Sequence, residues 1–130
     1  MNKVVHFEIP CDDAKRASEF YSKAFAWNMN EIPEMKYTMA VTGPTDEQNM
    51  PLEKGFISGG LFNRADMDTP LPHPMVTMDV DNIEDSLKKV VEAGGEVVKE
   101  RTTVGDMGAV AYFKDTEGNI NGIWEDAKKG

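Results

Sequence analysis

The chain is short of most residues on which covalent and electrostatic chemistry is usually built. Its 130 residues include one cysteine, Cys11. No disulfide can form within the chain, and a reducing, cytoplasmic compartment is expected. Histidine occurs only at His6 and His73. With no Gly-x-Ser-x-Gly elbow beside them, a serine triad has little support. Cationic residues are in deficit, with 14 Lys and Arg against 23 Asp and Glu and a formal net charge of -9. That balance argues against nucleic acid, whose phosphates demand a basic face, and disfavours anionic membranes. No apolar run approaches the roughly 20 residues needed to span a bilayer. None follows Lys3, which predicts no signal peptide. The remaining composition, 40% hydrophobic and 28% charged, fits a single globular domain with a real core.

What is present is one pattern written twice. Val4 to Pro10 alternates with period two, Val5, Phe7 and Ile9 on one face and Val4, His6 and Glu8 on the other. Pro10 is expected to end that strand. Asp12 or Asp13 suits the N-cap of a helix whose apolar stripe is Ala14, Ala17, Phe20, Tyr21, Ala24 and Phe25. Strands are predicted over 27–32, 37–42 and 55–62, with a polar surface loop over 43–54. After a Pro-containing connector the pattern restarts: a strand over 75–80, an Asp81-x-x-Glu84 capping box, and a helix burying Ile83, Leu87, Val90 and Val91. Gly94-Gly95 ends the helix. Strands over 96–100, 109–114 and 120–124 follow, with a loop over 102–107, a turn at 115–119 and a fraying tail after Glu125. Two units of this length bury one core together, because neither hides its apolar face alone. The boundaries read as 4–62 for module one, 63–73 for the connector and 74–125 for module two, all within one domain over 1–130.

Two β-α-β-β-β copies resemble the vicinal oxygen chelate superfamily, which includes glyoxalase I, extradiol dioxygenases, and fosfomycin- and bleomycin-resistance proteins. The resemblance rests on Val5-His6-Phe7-Glu8-Ile9 leading to Asp13-x-x-Arg16-x-x-x-Phe20-Tyr21 and Phe25-x-Trp27. In the second copy it rests on Val80-Asp81-Asn82, Gly94-Gly95 and Tyr112-Phe113-Lys114-Asp115-Thr116-Glu117-Gly118-Asn119. It implies an α+β fold: two modules forming a curved mixed sheet around a cleft, helices outside, in a homodimer.

Metal-dependent members of that superfamily draw one ligand from each of four strands. Mapped one at a time, those places fall on His6, on Gly59 or Gly60, on Met75 and on Gly122. Glycine has no side chain to coordinate, and a thioether is too soft for the ions concerned. Only His6 survives, so no metal and no other cofactor is expected. Glu8 shares the His6 face, and a set of His6, Glu8 and His73 is the conceivable replacement. Glu125 has the opposite parity to Gly122 and is expected to point away.

The expected ligand-binding residues are therefore His6, Glu8, Met39, Gly59, Met75, Gly122 and Trp124. Trp124 has the parity of Gly122 and either stacks over the cleft, with Gly122 and Gly59 leaving room for a flat ligand beside it, or plugs the space and leaves a small cavity. The nine methionines read more as core filler than as ligand contacts. Cys11 precedes a helix but lacks a visible base or resolving partner. The resulting expectation is a metal-free protein binding an unidentified small organic molecule, without assigned catalytic residues. The alternative is a metal-dependent lyase, isomerase or dioxygenase with an altered ligand set.

Overall fold

A computed structural model describes residues 1–127 of the chain. The described residues form eight strands and two α-helices in an α+β arrangement. They group into two compact units: His6–Pro74, and Met1–Val5 together with the chain from Met75 onward.

In the first unit, β1 (Val4–Cys11), α1 (Ala14–Phe25), β2 (Asn28–Ile32), β3 (Tyr37–Val41) and β4 (Gly59–Asn63) follow one another. The strand order is β2-β3-β4-β1, and the β1–β4 pair is parallel. Pro10 does not end β1: Pro10 lies opposite Phe62 and Cys11 opposite Asn63, so the ladder continues past the missing N–H. Of the two candidate caps, Asp13 is the one used; its Oδ1 accepts from Arg16 N at 3.0 Å. Ala14, Ala17 and Tyr21 of α1 pack on a core of Cys11, Ala40 and Leu61, joined by Phe7, Ile9, Trp27 and Met29. Phe20 and Phe25 were expected on that stripe but stand 58% and 62% exposed. The contact face of α1 is narrow, and Phe20 instead meets Tyr21 edge-on with centroids 5.1 Å apart. The strand expected from Gly55 begins only at Gly59, since φ of +99° at Gly55 is incompatible with extended backbone.

The second unit holds β5 (Met75–Asp79), α2 (Ile83–Glu92), β6 (Glu96–Val104), β7 (Gly108–Lys114) and β8 (Ile120–Asp126). Its order is β5-β8-β7-β6, with β5 and β8 parallel. Residues 1–5, which include the first two residues of β1, group here, and Lys3 O accepts from Asp79 N at 2.9 Å. Asn82, rather than Asp81, caps α2 by accepting from Asp85 N. Val80, Ile83, Leu87, Ala109, Ala111, Phe113 and Ile123 form the core. Val91, expected inside, is 55% exposed; Val90 packs against the core, and Val91 faces the side of the helix toward β6. β6 runs through the first half of the expected loop, to Val104, and its ladder with β7 shifts register twice. Asp115 closes the β7–β8 hairpin by accepting from Glu117 N and Asn119 N, and Gly118 takes φ of +85°. β8 extends to Asp126, past the expected start of the fraying tail, whose last residues, 128–130, lie outside the described part. No described helix is long and apolar enough to cross a membrane.

Candidate functional site

The alternation of β1 separates two faces. Phe7, Ile9 and Cys11 go to α1, which leaves His6 and Glu8 on the opposite face. Glu8 lies opposite Gly60, and Gly60 lies opposite Met39. Two residues before Met39 on the same face stands Tyr37, whose phenol is 2.7 Å from His6 Nε2. The two rings are nearly parallel, 20° apart with centroids separated by 6.3 Å. His6, Glu8, Met39 and Tyr37 thus share one face. Gly59 is corrected to Gly60: Gly59 pairs with Phe7 and lies on the helix side, where a Cβ would strike the Phe7 ring and carbonyl. At Gly60 a Cβ would fall on the Tyr37 ring. Glycine is required there because an aromatic side chain from the neighbouring strand occupies its side-chain space.

Burial pushes His6 down to about 4. At neutral pH the imidazole is therefore uncharged, one nitrogen donating and the other accepting. Its Nε2 either donates to the Tyr37 oxygen or accepts the phenolic proton, according to tautomer. A base this weak is poorly matched to proton abstraction near pH 7, and a neutral ring has no second proton to give as an acid. The pair is well suited to presenting fixed hydrogen-bonding groups. Glu8 is 9% exposed and is engaged by a neighbour, so the face is polar but closely packed.

In the second unit, Met78 and Val80 face the α2 core. Met75 and Thr77 lie on the other face, where Thr77 pairs with Gly122, and Gly122 with Tyr112. Met75 and Gly122 therefore share a face, as expected, and Trp124 has the same parity. The room expected beside Gly122 is taken: Thr77 Oγ1 and the Tyr112 ring edge lie 3.0 and 3.4 Å from the position of a Cβ. Trp124 turns along the sheet to lie over Gly108. Glu125 points to the helix side, as expected; its carboxylate accepts from Ile83 N at 2.8 Å and from Arg101 at 3.0 Å.

The donors do not suit a resident metal. His6 Nε2 is committed to Tyr37, and His73 Nδ1 lies 3.0 Å from Pro74 O. Among the described residues no three His, Cys, Asp or Glu side chains are grouped to hold an ion, so the set of His6, Glu8 and His73 is not assembled. Cys11 is buried, and desolvation raises its thiol pKa, outweighing the nearby Arg64.

Tyr37, Thr77 and Tyr112 were not among the expected site residues, and Gly60 entered only as the alternative to Gly59. Parity alone could have selected Tyr37, two residues before Met39. Its reach across Gly60 depends on register.

Three comparisons bear on this arrangement. Residues 3–43 match the family described as Bleomycin resistance protein-like N-terminal. Over 120 residues the chain is 25% identical to a lactoylglutathione lyase of Escherichia coli O157:H7, covering 89% of this chain and 87% of that protein. A glyoxylase-like domain-containing protein of Didymella fabae is 27% identical over 122 residues, covering 89% and 88%. The fold matches that of a glyoxalase/bleomycin resistance protein/dioxygenase superfamily member from Vibrio splendidus 12B01, with a TM-score of 0.62, 15% identity and coverage of 97% and 100%.

Proposed function

We propose that the chain, which is similar to members of the vicinal oxygen chelate superfamily in sequence and fold, has kept the fold for binding a small organic molecule and has given up the metal. The observation that carries this reading is Tyr37. Its ring lies over Gly60, where a side-chain ligand would be needed, and its phenol engages the nitrogen of His6 that could coordinate. A neutral imidazole, a phenol and a thioether on one face favour an uncharged or weakly polar ligand, held by hydrogen bonds and dispersion. On this reading the protein is a cytoplasmic homodimer. Its single buried, unpaired thiol agrees with a reducing compartment.

The test is elemental analysis of protein purified without chelators, followed by thermal unfolding with Ni, Zn, Fe and Mn salts and then with a panel of small organic compounds. Sub-stoichiometric metal, no shift with any ion, and a shift with at least one compound that Tyr37→Phe reduces are expected. One metal per chain, lost together with a thermal shift in His6→Ala, would reject the reading. That outcome would favour a metal-dependent enzyme, with lyase chemistry, the activity named in the Escherichia coli relative, as the first to assay.

A further inference from the structure

The second unit has a feature that the His6 face does not explain. Between α2 and β6 lies a groove of about 580 Å³. Leu87, Val91 and Val97 supply its apolar surface, and Val91 and Val97 are 55% and 38% exposed. The irregular ladder of β6 shapes its other bank. Between the pairs Lys99–Tyr112 and Thr102–Val110, Glu100 and Arg101 together oppose the single residue Ala111. Ala111 belongs to the core under α2. The extra residue lets two consecutive side chains line the groove, which regular alternation forbids.

The charges are divided unequally. Arg101 is held by Glu125 at 3.0 Å and by Glu84 at 3.6 Å. Among the described residues, Glu92 on the helix bank and Glu100 on the strand bank have no ion pair, and neither has Lys88, the groove's other cation, one turn before Glu92; the lining still holds three carboxylates against two cations. Each bank thus carries an open carboxylate above aliphatic side chains. A second copy of this chain, itself at -9, is a poor occupant of such a surface.

We propose that the α2–β6 groove docks a basic amphipathic segment of a partner protein. Aliphatic side chains of the segment lie on Val91 and Val97, and its lysines or arginines meet Glu92 and Glu100. This assignment does not depend on the ligand of the His6 face.

The test uses the full chain and a dye-labelled helical peptide of lysine and leucine, amphipathic by spacing. Fluorescence anisotropy gives affinity, and amide NMR shifts give location. The proposal expects shift changes concentrated on α2 and β6. It expects at least tenfold weaker binding by Val91→Ser/Val97→Ser and by Glu92→Lys/Glu100→Lys. All four positions are on the surface, and a retained melting temperature certifies the fold of each variant. A peptide with the same lysines but serine for leucine should also bind at least tenfold more weakly. Equal binding of the serine peptide, shifts mapping elsewhere, unaltered affinity in both double variants, or no binding at millimolar peptide would each overturn the assignment.

Discussion

Acidification should loosen this fold through His6, and the size of the effect can be worked out. The folded-state value of about 4 lies below the ordinary 6.5. The unfolded chain therefore takes up a proton first as pH falls. The stability tied to a neutral His6 is fully present above about pH 7, is lost between about 6.5 and 4, and changes no further below that. At about pH 5.5 the unfolded imidazole is roughly nine-tenths protonated while the folded one is almost wholly neutral. The loss is then about 1.4 kcal/mol, against a limit of about 3.4 kcal/mol at lower pH. Urea unfolding followed by the fluorescence of Trp27 and Trp124 can read it at about pH 8 and pH 5.5. His6→Gln supplies the reference, because His73 and the carboxylates titrate in both proteins and cancel in the comparison. The wild type should lose about 1.4 kcal/mol more than the variant over that interval. An equal loss in both proteins, or an NMR titration of His6 with a midpoint near 6.5, would refute the burial argument.

Three further outcomes follow from the packing. Gly60→Ala places a methyl group in the Tyr37 ring and should destabilise by about 1–3 kcal/mol. Adding Tyr37→Ala should recover part of the packing loss, so additive destabilisation in denaturant melts would count against the contact. Asn82→Ala removes the acceptor for Asp85 N at the start of α2 and should cost about 1 kcal/mol, whereas Asp81→Ala should leave the cap intact. Equal losses would mean that the cap is misassigned. Cys11, buried and with its thiol pKa raised, should react with an aromatic disulfide reagent only as fast as the protein opens. A burst of labelling under native conditions would contradict that.

Much of the site was legible in the primary structure because strand parity is local. His6 and Glu8 on one face of β1, and Glu125 on the face of β8 opposite Gly122, follow from period two, whereas Met75 shares a face with Gly122 only through the β5–β8 register. The choice between Gly59 and Gly60 did not follow. It depends on which β4 residue lies opposite Glu8, and a slip of one residue exchanges the faces. The positions of Phe20, Phe25 and Val91 were misjudged for a related reason. Helical periodicity marks an apolar side, but the width of that side actually covered depends on the strands beneath it.

The amino-acid order by itself determined two helix-bearing modules, the turn at Asp115, and glycine or methionine at the positions where the family resemblance implies metal ligands. These rest on periodicity, turn chemistry and the side chains glycine and methionine do not have. Only the tertiary structure decided that Tyr37 crosses Gly60 to meet His6, that Trp124 turns over Gly108, and that Glu100 and Arg101 both reach the α2 groove. Each is a contact between strands whose register is chosen by the packing of the whole sheet, and no local pattern along the chain encodes that choice.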